Sequence, residues 1–251
     1  MPPLTTHLVV AERVFSHLQA FDGSEYGAFL TGNLVVDVNS FTSVSRRTTH
    51  FVGRIDEDGD AAFTKSCANF LKQRERLLQR SWGDLTPGER AFVAGYLCHL
   101  AADEPWKALS ARLQRSLGLN SLQDSVPPAV VLTAFSVLSH ALFVDFAAVT
   151  AALNTAPPPD VFTHVTHADF LRMWDIVRLP LRKGDSPESF FEMLMRSGKD
   201  AVELQRIREQ HARYWDAAVA LIEQVGSVEA FVAEAVERAL DVLPALNGCV
   251  L

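Results

Sequence analysis

Apolar residues recur every three to four positions along most of this chain, the rhythm of helices with one face turned to a core. Leu8, Val9, Val14 and Phe15 set it first, in a helix expected over residues 6–17 with Thr6 as its cap. Helices are expected next over 26–36 and 60–80, with a polar loop at 40–49 between them. Thr86-Pro87-Gly88-Glu89 has the cap, first-turn proline and third-position acid of a helix start. That helix should stop at Glu104-Pro105, because the residue before a proline avoids helical geometry. Further helices fit 105–117, 128–153, 169–177, 187–195, 199–224 and 228–242. No period-2 stretch of any length and no internal repeat intervenes, so the fold class is all-α. A single multi-helix domain over residues 1–251 is expected, with Pro157-Pro158-Pro159 as its stiffest linker and a helical part of unassigned role over 160–251.

Composition narrows the function classes. A chain of 251 residues that is 48% hydrophobic can bury a large core. Its 23 basic against 30 acidic residues give a net charge of −7 without any basic cluster, which disfavours nucleic acid and anionic membranes. A small phosphoester or a lipid headgroup stays open as a substrate. Three cysteines without CxxC spacing argue against a disulfide framework and for a reducing compartment. With no secretory signal recognised, a cytoplasmic location is expected. Residues 126–144 are uncharged and long enough to span a bilayer. They open on Pro127-Pro128, carry Ser136, Ser139 and His140, and lack a basic flank, so a core helix is expected and no transmembrane segment.

The candidate chemistry starts from His99 and Asp103. From Ala91 to Ala102 every residue except His99 is apolar or uncharged, the pattern of a helix covered on all sides, and Asp103 lies one turn beyond His99 on the same face. No other histidine has a carboxylate at i+4. Burying this pair without partners costs several kcal/mol, and a divalent metal is the most economical partner. His7, Asp37 and His50 bring the candidate donors to three imidazoles and two carboxylates, a set zinc takes. Each alone is more often a satisfied core residue than a ligand.

The order of the motifs carries more than any single residue. Thr6-His7, Gly32-Asn33-x-x-x-Asp37-Val38, Thr49-His50-Phe51 and Gly95-Tyr96-x-x-His99-Leu100-x-x-Asp103-Glu104-x-Trp106 resemble the zinc-dependent phospholipase C family over residues 2–106. That family includes bacterial phospholipases C and the N-terminal domain of glycosylphosphatidylinositol-specific phospholipase D, and shares its fold with single-strand-specific zinc nucleases. The resemblance implies an all-helical phosphoester hydrolase. It implies that Asp37, His50, His99 and Asp103 hold one zinc, and that Asp103 bridges to a second completed by His7 and the N-terminal amine. A second-position proline favours loss of Met1, which makes Pro2 the carrier of that amine. Asp37 is the expected catalytic residue, steering or deprotonating a water while touching the metal.

The chain departs from the family at its remaining zinc. Trp106-Lys107 stands where a further histidine would fall, and no second His-x-x-x-Glu exists. His140 and Asp145 are offset by five, roughly 140° around a helix. One or two zinc ions per chain are therefore expected, not three. Arg46 and Arg47 could face a substrate phosphate or simply be solvated. Asp103, just before a proline, could alternatively cap a helix starting there. Asp56-Glu57-Asp58-Gly59-Asp60 looks like a calcium loop, but its glycine comes too early and Cys67 stands where the bidentate Glu belongs. The rival to a hydrolase is a non-catalytic helical protein retaining a structural metal site.

Overall fold

A computed structural model describes residues 3–51, 66–118, 126–155, 159–183, 187–196, 198 and 200–246. Its α-helices are α1 (Leu4–Phe15), α2 (Tyr26–Val35), α3 (Arg46–Thr49), α4 (Ser66–Leu77), α5 (Pro87–Gly118), α6 (Pro128–His140), α7 (Phe146–Thr155), α8 (His167–Lys183), α9 (Pro187–Arg196), α10 (Ala201–Val225) and α11 (Val228–Val242). Among the described residues there is no strand, only an isolated bridge between Leu78 and Phe162. The all-α class is what the helical rhythm implies. No helix among the described residues is long and apolar enough to cross a membrane.

The core is organised around α5, which packs against α2, α11 and α4, while α1 lies across α2, α6 and α11. The α2–α5 crossing is made by two glycines. A Cβ on Gly32 would lie 1.9 Å from the Phe92 carbonyl oxygen, and one on Gly95 would lie 1.9 Å from that of Phe29. Only the missing side chains let the two backbones come this close. Asp37 follows α2 by two residues and His99 follows Gly95 by one turn, so this crossing sets how near they stand.

Several expected boundaries move. Thr6 does not cap α1, which begins at Leu4; its hydroxyl lies 2.7 Å from Ser139 Oγ in the interior. The expected loop at 40–49 contains α3. The stretch 128–153 breaks into α6 and α7, because the Glu12 carboxylate accepts from the Val144 and Asp145 N–H groups and Asp145 Oδ1 accepts from Ala148 N–H. The largest correction is that α5 does not stop at Glu104 but runs on through Pro105. Glu104 fixes the helix there: its carboxylate accepts from Cys67 N–H at the start of α4 and from Arg238 Nε on α11. Trp106 is clamped between Phe135 and Phe231. Asp103 therefore sits inside a helix, where no free N–H awaits a cap. The expected start of α5 is found, with Thr86 and Glu89 bonded reciprocally.

Pro157, Pro158, the acidic loop at 56–60 and the first part of the expected 60–80 helix lie outside the described residues. Buried side chains from both sides of that proline stretch, such as Leu97 and Val232, belong to one hydrophobic cluster.

Candidate metal centre

Four segments deliver the candidate donors. His7 lies in the first turns of α1, Asp37 in the 3-10 turn after α2, His50 at the C-terminal end of α3, and His99 and Asp103 inside α5. All three imidazoles are fully buried, and Asp37 and Asp103 are 4% and 5% exposed. Asp37 Oδ1 lies 3.3 Å from His50 Nε2 and 3.8 Å from His99 Nε2. Asp103 Oδ2 lies 3.4 Å and 3.9 Å from the same two nitrogens. Asp103 Oδ1 faces the other way, 3.6 Å from His7 Nε2. The His7 and His99 rings stack, with centroids 3.6 Å apart and planes 5° from parallel.

None of these contacts has hydrogen-bond geometry, and each is longer than the roughly 2.7–3.2 Å of good N–H···O hydrogen bonds. His7 Nδ1 and Nε2, Asp37 Oδ1, His50 Nε2, His99 Nδ1 and Nε2, and both Asp103 oxygens make none at all. Each unmatched buried polar atom costs about 1–3 kcal/mol, too much for a cluster of this size without a further partner. Donors about 2.0–2.2 Å from a tetrahedral metal ion stand roughly 3.3–3.6 Å from one another. The observed spacings of 3.3 to 3.9 Å around His50 and His99 are close to that. Two groups could hold an ion, His7-His99-Asp103 and Asp37-His50-His99, each with donor atoms within 4.8 Å of one another. His99 appears in both groups but can serve only one ion through one nitrogen, while the resemblance implied Asp103 as the shared ligand.

The protonation states suit coordination. Burial pushes the His7 imidazole well below its ordinary range and lowers that of His99 too. Burial alone would raise the Asp37 carboxyl, but His99, His50 and His7 outweigh it and hold it well below the usual carboxylate range. Neutral rings and ionised carboxylates are the forms that bind metal.

Supporting residues come from the motif flanks. The buried Asn33 amide reaches His7 O with its nitrogen and His99 N–H with its oxygen, each at 3.3 Å, tying α1 to α5 through α2. Thr49 Oγ1 lies 2.8 Å from His50 Nδ1, and the Tyr96 hydroxyl donates to the Thr49 carbonyl. Phe51, with φ at 51°, turns the chain directly after His50 in the left-handed region, and its carbonyl accepts from Asn69 Nδ2 at 3.0 Å. Sequence reasoning assigned none of these a role, although Asn33, Thr49, Phe51 and Tyr96 lie inside the motifs.

The other expected positions divide. Arg46 reaches the centre, with Nη2 3.8 Å from Asp103 Oδ2 and a side chain 34% exposed. Arg47 is exposed and makes no such contact among the described residues. Pro2 lies outside the described residues. His140 packs between Phe143 and Phe146, His164 beside Tyr96, and His211 beside Phe191 and Trp215; none joins the two donor groups. No family model, no curated protein and no solved structure matches this chain.

Proposed function

We propose that this chain is a metal-dependent phosphoester hydrolase resembling zinc-dependent phospholipase C, with one or two zinc ions at the buried centre. One observation carries the reading: His50 and His99 turn Nε2 toward the same two carboxylate oxygens, unbonded and buried, while His7 stands on the other oxygen of Asp103. Asp37, His50, His99 and Asp103 would hold one ion, and His7 and Asp103 would contribute to a second. When bound, zinc supplies a water whose pKa falls toward ~7 and positive charge for the phosphoryl oxygens.

The chain's own residues define the rest. Asp37, set against the His50 and His99 imidazoles and ionised, is placed to accept a hydrogen bond from a water and to steer or deprotonate it. Arg46 runs from Asp103 to the surface and offers planar paired donors to a phosphate oxygen. The net charge of −7 favours a small phosphoester or a headgroup over nucleic acid as substrate. Cys67 and Cys98, both unpaired, support a reducing, cytoplasmic setting.

A second reading draws on the burial of every donor and on the absence, among the described residues, of a third donor group. In it the metal is structural and catalysis is lost. Assaying the zinc-loaded protein on a panel of phosphodiesters and phosphomonoesters separates the two. The hydrolase reading expects turnover that falls at least a hundredfold in Asp37→Asn; no turnover on any ester, with zinc tightly held, supports the structural reading instead.

A further inference from the structure

Behind the metal-facing edge of His50, polar groups run outward through Thr49 and Tyr96 to His164. Thr49 Oγ1 is 2.8 Å from His50 Nδ1 and 3.4 Å from the Arg46 carbonyl oxygen. The Tyr96 hydroxyl donates to the Thr49 carbonyl and lies 3.3 Å from His164 Nε2. Counting protons orders this chain. A carbonyl only accepts, so the single Tyr96 proton is committed to Thr49, and the contact with His164 needs a proton on His164 Nε2. Thr49 can likewise give its own proton to Arg46 and accept one from His50 Nδ1. The Asn39 amide, 3.3 Å from Thr49 Oγ1, donates to the same hydroxyl when its nitrogen faces it, which leaves that hydroxyl free to give its proton to Arg46.

A histidine that binds metal through one nitrogen must carry its proton on the other, and an acceptor for that proton fixes the ring. His50 has such an acceptor. His7 does not, since its Nδ1 makes no hydrogen bond, and the His99 ring has only the Asn33 backbone, outside good hydrogen-bond geometry. We propose that Thr49, Tyr96 and His164 are positioning residues that hold His50 with its proton on Nδ1 and its Nε2 lone pair on Asp37 and Asp103. This rests on the metal-centre reading above and adds what presents the ligand.

The rest of the structure secures the chain of donors. Residues 161–163 are pinned to the end of α4, where Gln79 N–H donates to Val161 O and Thr163 N–H donates to Leu77 O, each at 2.9 Å. This strap brings His164 to Tyr96. Phe51 and Phe162 contact both rings, and Phe70 stacks on Tyr96. Burial holds the His164 imidazole down to about 4, so near neutrality it keeps the single proton that the arrangement requires.

The test compares full-length wild type, Thr49→Val, Thr49→Ser and Tyr96→Phe, with zinc itself as the probe. Zinc affinity is measured by competition with a chromophoric chelator, and the His50 ring is read by nitrogen-15 NMR of the zinc-loaded protein. Thr49→Val, which keeps the shape and removes the hydroxyl, should lose 10–100-fold in zinc affinity. Thr49→Ser should recover most of it, and Tyr96→Phe should lose several-fold. Wild-type His50 should show a protonated Nδ1 that exchanges slowly with water. Wild-type-like affinity in Thr49→Val, or a Thr49→Ser as weak as Thr49→Val, overturns the proposal and leaves the metal centre standing; a zinc-loaded wild-type His50 protonated on Nε2 overturns the proposal and removes His50 from the ligand set as well. The NMR result decides on wild type alone should Thr49→Val not fold. Wild type that binds no zinc overturns the metal centre itself, and this proposal with it.

Discussion

Asp103 presents Oδ1 to His7 and Oδ2 to His50 and His99, so its two oxygens serve different imidazoles. Asp103→Asn keeps the volume and removes the charge shared by both positions. Zinc titration should show both weakened at least tenfold, whereas His7→Ala should affect only the position on the Oδ1 side. Loss confined to one position in Asp103→Asn would remove the bridging role. His164 gives a second measurable consequence. Its unfolded imidazole takes up a proton near 6.5 and the folded one not until about 4. Stability is therefore full above pH 6.5 and declines as pH falls through that window, by at most about 3 kcal/mol from this ring. Urea denaturation of the metal-free protein should show a shallower decline in His164→Phe; an unchanged slope would mean the ring titrates alike in both states. Five donors could be read from the sequence because each sits in a short motif or at i, i+4. Thr49, Tyr96 and His164 could not, because their contacts join residues 47 and 68 positions apart.

At the scale of elements, the α2–α5 crossing fixes the distance between Asp37 and His99, and Gly32 and Gly95 make it possible. Gly95→Ala favours the isolated helix but drives a methyl into the Phe29 carbonyl, so the helices must part. Chemical denaturation should show a loss of about 1–3 kcal/mol, and zinc affinity should fall with it. A Gly95→Ala protein as stable as wild type would show that the crossing tolerates separation. Most helices were legible, and α11 spans the expected 228–242, because apolar spacing and caps such as Ser227 are local signals. Two boundaries set by distant contacts were not. The break after α6 depends on Glu12, more than 130 residues away, and the passage of α5 through Pro105 depends on Glu104 gripping both α4 and Arg238. Pro105 removes one donor, and packing on both of its sides outweighs that loss.

Across the whole molecule, buried residues from Leu8 to Leu246 form one hydrophobic cluster, with the centre's unmatched polar atoms set inside it. An ion bound there is bound by the folded chain and scarcely by the unfolded one, so metal content and stability are linked. A ligand at a hundred times its dissociation constant adds about 2.7 kcal/mol, roughly 5–11 °C for a chain of this size. The most direct measurement is zinc per chain by elemental analysis, paired with melting of the same sample before and after chelation, in wild type and in His99→Ala. The account predicts one or two zinc ions in wild type, a melting temperature that falls on chelation and returns with zinc, and loss of both the metal and the shift in His99→Ala. Wild type that holds no zinc and gains nothing from it, or a His99→Ala protein that binds zinc as wild type does, would contradict it.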